Sequence, residues 1–161
     1  LLKEEDFAAR MVPYLQAAGV FDQAPTIADL EVLAEAAPLV QTRMNVLSEA
    51  PGLLAFLFTP TAELEFAEDA RASLPANSAE VLAAGVDALE ALAESDWNTE
   101  AIQSSLQTAL IDTLELKPRI AFGPLRVGIS GQRISPPLFE SMEILGKADT
   151  LARLAKLAAT V

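Results

Sequence analysis

Residues 122–146 read FGPLRVGISGQRISPPLFESMEILG. The stretch holds most of the glycine and proline punctuation of the second half of the chain, and it sets Arg126 and Arg133 among small residues. Gly123-Pro124 marks the start of a short helix, since proline suits the first helical position. Gly128, Ser130 and Gly131 favour its end. Ser135-Pro136-Pro137 repeats the start signal, with Ser135 as N-cap. Leu138, Met142 and Leu145 form one apolar stripe, and Gly146 is a natural stop. The pattern predicts two short helices joined by a small-residue turn that carries arginine. Backbone N–H groups at a helix start, with arginines beside them, suit an anionic or base-bearing ligand.

Helical spacing continues outward in both directions. Phe7, Met11, Tyr14, Leu15 and Ala18 share a face, with Gly19 as stop and Pro13 expected to kink or divide the helix. Thr26 is a candidate N-cap for a helix lined by Ile27, Leu30, Leu33 and Ala37. Pro38 is expected to restart a helix through Leu47, burying Leu39, Val40, Met44 and Leu47. Pro51 opens a segment, residues 53–58, that is apolar on nearly all sides and therefore predicts deep packing. Residues 61–74 read as a polar helix. Asn77 and Glu80 resemble a capping box for a helix running to about Ser95. Its stripe is Leu82, Val86, Leu89 and Ala93, with Glu80, Asp87, Glu90 and Glu94 opposite, either a solvated face or a metal or partner site. Thr99 caps the next helix, with Ile102, Leu106 and Leu110 inward. Leu151, Leu154 and Ala158 line a last helix over residues 147–160. Trp97, just before a helix, suits a packed corner with its indole N–H on a local acceptor, or a base-stacking role. No β-branched alternation extends over a useful length, and only residues 126–129 could mislead. The fold class is all-α, with about eight to ten helices.

The chain has 161 residues, 52% of them apolar, enough for one domain or two small ones. Residues 1–75 and 76–161 are the expected subdomains, with 115 as the alternative boundary. No apolar run reaches membrane-spanning length, and charged residues from Lys3 to Asp6 leave no signal-peptide pattern. Cysteine and histidine are both absent. That removes disulfides, Cys/His zinc sites, Cys–His nucleophiles and Ser–His–Asp triads, and no P-loop is present. Neither a catalytic nor a metal-ligating residue is assigned. The chain begins with Leu1 rather than Met, which suggests a fragment or a processed chain. The net charge of −12 is unevenly spread. Residues 1–116 carry 4 basic and 20 acidic groups, and residues 117–161 carry 7 basic and 3 acidic groups. Phosphate binding needs a local cationic surface rather than a basic whole. A solvated face is the other reading of that excess.

GPLRVGISG followed by SPPLFESMEILGK resembles the C-terminal signature of bacterial glutamyl-tRNA synthetases, where PLRVAxTG precedes an SPxL-type turn and a helix. DFAARMVPYLQAAG, PLVQTRMNVLSEAPGLLAFLF and DWNTEAIQSSL resemble other parts of that family's anticodon-binding region, in the same order and over nearly the whole chain. The resemblance implies two packed helical subdomains of a class I aminoacyl-tRNA synthetase anticodon-binding domain. It implies no catalytic part, since no histidine exists for a HIGH-type motif and no KMSKS-like run occurs. The parent would be a glutamate–tRNA ligase using ATP and magnesium bound elsewhere. The expected partners are tRNA(Glu), with tRNA(Gln) left open, and the catalytic domain of the same polypeptide. Neither DNA nor a membrane is a partner, and a cytoplasmic monomer is expected.

The resemblance also implies roles for particular residues. Arg43 matches an arginine that reads the third anticodon base, although by itself it would pass as a surface salt-bridge residue; a guanidinium fork suits base edges better than an ammonium. Arg126 matches the arginine of the PLR motif that contacts anticodon-loop nucleotides. Ser135, Pro136 and Leu138 match the turn that packs on anticodon bases, and Ser135 can cap a helix as well. Arg133 and Lys147 are expected phosphate contacts, chosen on charge and proximity. Thr108 stands where some family members would carry a basic residue. The alternative function is an acidic helical protein-interaction module without RNA binding, favoured by the acidic first part.

Overall fold

The computed structural model describes residues 2–21 and 23–161, and these divide into two units, Leu1–Pro60 and Thr61–Val161. Helices and turns make up both, and no strand occurs among the described residues. The division falls before the expected 75/76 boundary. Residues just after Pro60 already belong to the second core: Ala70 is fully buried in it, and Phe66 and Leu74 pack against it.

The first unit holds α1 (Glu4–Ala17), α2 (Ile27–Val40) and α3 (Ala50–Phe58). Three acidic residues in the first turn of α1 complement the helix dipole, and Phe7, Met11 and Leu15 face inward. Pro13 does not divide this helix. The carbonyl it leaves without a donor is that of Ala9, on the exposed side where water reaches it. Gly19, at φ +78, closes the helix, with the Val20 amide donating to the Leu15 carbonyl. A reciprocal Thr26–Asp29 capping box starts α2, with bonds of 3.1 and 2.9 Å. Pro38 is again exposed and inside the helix, so α2 runs unbroken to Val40 rather than restarting. Its buried set is Leu33, Ala36, Ala37 and Val40, while Ile27 and Leu30 are exposed. Beyond α2 the chain makes a turn, not the expected helix to Leu47, and a short 3-10 turn at Leu47–Glu49 leads into α3. Ala50, Leu54 and Phe56 of α3 are buried, while Leu53 and Leu57 are only half-buried. Phe58 meets Phe21 edge to face at 4.9 Å.

The second unit holds α4 (Glu68–Ala72), α5 (Ser78–Glu90), α6 (Thr99–Leu106), α7 (Pro118–Ser130), α8 (Leu138–Leu145) and α9 (Lys147–Ala158). The expected polar helix over 61–74 is reduced to a 3-10 turn and α4. Residues between them leave the helical path because Leu64 is buried and the Ala67 amide donates to the Gly131 carbonyl. The Asn77 side chain makes no cap, and the Ser78 hydroxyl donates to the Pro75 carbonyl instead. The acidic residues of α5 are exposed, as a solvated face requires, and no metal-holding group of acidic residues exists among the described residues. Asn98, not Thr99, caps α6, accepting from the Ala101 amide, and the Thr99 hydroxyl donates to Glu143. Helix α6 widens into a π-helical segment at Gln107–Thr113, and Glu115, two residues past its end, stands at φ 54. Leu82, Leu89, Ile102, Leu106, Leu110, Leu125, Ile129, Met142, Leu154 and Leu157 form the core. A Cβ on Gly128 would lie 2.7 Å from a Leu154 methyl group, so any larger residue there would oblige the Leu154 side chain to shift.

Candidate nucleic-acid interface

Helix α7 positions the site. It begins at Pro118 and continues through Pro124, so the expected start at Gly123-Pro124 lies mid-helix. Pro124 offers no amide to the Ile120 carbonyl. Ile120 borders an open cavity. Seven of the thirteen residues of α7 are buried, which fixes the helix in the core and leaves Arg126 half-buried at its margin. The helix stops at Ser130 because Gly131 turns left-handed at φ +73. A Cβ there would collide with the Glu65 carbonyl oxygen, so the turn accepts only glycine. The Ser130 hydroxyl fastens the turn by donating to the Arg126 carbonyl at 2.7 Å and accepting from the Gln132 amide at 3.1 Å.

The cavity beside this turn measures about 710 Å³. Arg119, Arg126 and Arg133 line it, together with Phe122, Pro118 and the Leu74-Pro75 corner. Arg119 and Arg133 are exposed. Arg126 turns its Nε to the Ser135 hydroxyl, 3.1 Å away. Phe122 meets Phe139 of α8 edge to face, with centroids 5.3 Å apart, so the apolar wall is braced from behind. Three guanidinium groups and an aromatic face thus border one hollow, an arrangement suited to phosphate oxygens and an unstacked base.

The expected site residues separate on inspection. Arg126 and Arg133 line the cavity, and Ser135 lies behind it, bonded to Arg126. Ser135, Pro136 and Leu138 are all buried, and Leu138 belongs to the hydrophobic core. Their side chains hold the turn in place rather than offering surface. Ser135 does not cap α8, whose N-cap is Pro137. Lys147 starts α9 and directs its ammonium to the Glu90 and Leu92 carbonyls at the end of α5. Trp97 packs against the core and its indole N–H donates to the Met142 carbonyl at 3.0 Å, the packed-corner reading. Thr108 lies exposed on the π-helical segment. Arg43, in the first unit, is exposed on the turn after α2. The sequence reading missed Arg119 and Phe122. Lys117-Pro118-Arg119 carried the signal for Arg119, since proline at the first helical position places the next residue in the first turn.

Two further cations of the C-terminal excess are structural. Arg153 is buried, with Nη1 donating to the Ile129 carbonyl at 2.7 Å and Nε to the Thr61 hydroxyl at 3.2 Å. Burial lowers its pKa and Asp149 raises it; an arginine remains charged at neutral pH all the same. Lys156 donates to the carbonyls of Thr61, Ala62 and Leu64 and lies 5.9 Å from the centre of the Phe66 ring.

Residues 6–158 match the family described as the anticodon binding domain. The glutamate–tRNA ligase of Leifsonia xyli is 58% identical over the whole chain, which covers 33% of that protein. The glutamate–tRNA ligase of Arthrobacter sp. is 51% identical over 96% of the chain and 30% of its own length. The chain therefore spans about a third of the length of the curated relatives it matches. Among solved structures, a glutamate tRNA ligase from Elizabethkingia meningosepticum, crystallised with its amino acid, aligns with a TM-score of 0.74. It is 21% identical, and the match covers 99% of this chain and 30% of that one, a likeness of fold.

Proposed function

This chain belongs to the anticodon binding domain family, and from that premise we propose that it holds the anticodon loop of tRNA(Glu) for a glutamate–tRNA ligase. The observation that carries the reading is the grouping of Arg119, Arg126 and Arg133 around one hollow, in a chain whose net charge is −12. Arg119 and Arg133, both exposed, neutralise backbone phosphates and supply salt-dependent affinity without sequence preference. Arg126, held through its Nε, presents a fixed guanidinium to a splayed nucleotide, and Phe122 offers that base an apolar face. Arg43 reads the third anticodon base. The chain performs no bond chemistry of its own: ATP and magnesium act in the remaining part of the ligase, a cytoplasmic monomer in this reading. Whether tRNA(Gln) is also accepted depends on that third-base contact.

Titration of the chain with a labelled tRNA(Glu) anticodon stem-loop, at low and moderate salt, tests the reading. Binding should weaken with salt and with Arg126→Ala. A loop changed at the third base should bind less well, by ~1–3 kcal/mol, and Arg43→Ala should erase that preference. Binding indifferent to salt and to Arg126 would reject the proposal.

A further inference from the structure

Residues 61–116 carry twelve acidic groups and a single basic one, Arg71. That cation lies in the last turn of α4, and the chain runs from there directly into the Ser73-Leu74-Pro75 wall of the arginine hollow. The corner is fixed from both sides. Ala70 is fully buried in the core. The Ser73 hydroxyl donates to the Ala70 carbonyl at 2.7 Å, and the Leu74 amide to the Arg71 carbonyl at 3.2 Å. Past the corner, the Ser78 hydroxyl donates to the Pro75 carbonyl at 2.6 Å. Arg71 precedes Ser73 by two residues, so their Cα atoms are at most ~7 Å apart, a span that an arginine side chain bridges.

Arg71 is exposed, and its guanidinium has no hydrogen-bond or ion-pair partner among the described residues. A basic residue in a last helical turn complements the helix dipole. That effect does not explain why the one cation of an acidic stretch stands at the edge of the hollow. An RNA strand with a nucleotide in the hollow must carry its flanking phosphates past the surrounding surface. On the α4 side, the exposed Glu68 and Asp69 repel phosphate, and Arg71 is the cation that offsets them.

We infer that Arg71 is a further phosphate contact: the strand held in the hollow continues across the end of α4, where Arg71 meets a flanking phosphate. This rests on the RNA reading of the hollow. It extends the binding face from α7 and the turn after it to a segment some fifty residues earlier in the chain. A guanidinium without an internal partner gives up no hydrogen bond when it pairs with phosphate.

Stem-loop titrations of the 161-residue chain across a salt series test this, with denaturant unfolding of each variant beside them. Arg71→Ala should weaken binding about threefold at moderate salt and flatten the slope of log K against log salt by ~0.7, with the unfolding midpoint unchanged. Arg71→Lys keeps a point charge and should keep the wild-type slope. Lys147→Met removes the same charge from the end of α5 and should keep it too. A wild-type slope in Arg71→Ala would overturn the inference, and with a lowered unfolding midpoint it would leave Arg71 as a dipole partner of α4 alone. Equal flattening in Lys147→Met would also overturn it, since net charge rather than a contact would then set the slope. Arg133→Ala separates the two levels of the reading. If it flattens the slope and Arg71→Ala does not, the hollow stands and the Arg71 contact falls. If the wild type binds without salt dependence, the RNA reading falls and the Arg71 contact with it.

Discussion

Two groups of cations in the second unit share one charge excess and differ in what they face. Lys147, Arg153 and Lys156 donate to backbone carbonyls: the end of α5, the end of α7 and the turn after Pro60. Arg119, Arg126 and Arg133 border a hollow that no segment of their own unit fills. The first group replaces the hydrogen bonds that carbonyls lose at helix ends and in turns. The second lines an open hollow, with Arg119 and Arg133 exposed to solvent. A charge tally therefore overstates the binding surface, because part of the positive charge is internal stitching. The difference also says which mutations should harm the fold and which the ligand.

The largest effect belongs to the stitching. Arg153→Met should destabilise the chain by ~3 kcal/mol, because the Ile129 carbonyl loses a charged donor inside the core. Denaturant unfolding checks this, and a near-neutral result would break the distinction. Gly131→Ala should follow at ~2–3 kcal/mol, since it combines left-handed strain with collision against the Glu65 carbonyl. As Gly131 begins the turn that carries Arg133 and Ser135, this variant should lower both stability and stem-loop affinity. Arg126→Ala should weaken stem-loop binding by ~1–3 kcal/mol. Lys147→Met should do the reverse, costing ~1 kcal/mol of stability and leaving affinity unchanged. The smallest effects are those of Arg119→Ala and Arg133→Ala alone, each lowering affinity about uniformly across loop sequences and each reducing the salt slope by ~0.7 for a single-stranded loop.

Local chemistry made much of the fold legible. The all-α class, the Thr26 cap, the Gly19 and Gly146 stops and the corner at Trp97 follow from residue type and spacing alone. Prolines were the main source of error. Pro13 and Pro38 sit on solvent-facing sides, where water can reach the carbonyls they free, and the helix at Pro124 continues although that proline is buried. Sequence spacing cannot supply that orientation. The residues 61–74 were misread for a different reason: a tertiary bond, from Ala67 to Gly131, outweighs helical propensity. At the site, Arg126 and Arg133 stood out because they lie in a small-residue stretch. Lys147 had the same credentials, and its α5 partners lie more than fifty residues away in sequence. Arg119 was overlooked because the start of α7 was placed six residues late.

The separation of the two cation groups is tested most directly by the salt dependence of stem-loop binding. Wild type, the triple variant Arg119→Ala/Arg126→Ala/Arg133→Ala and Lys147→Met would be titrated across a salt series, each confirmed folded. The triple variant should flatten the slope of log K against log salt by ~2 while Lys147→Met retains the wild-type slope. A triple variant with the wild-type slope, or a Lys147→Met slope flattened as much, would contradict the assignment of the arginine cavity as the RNA-binding face.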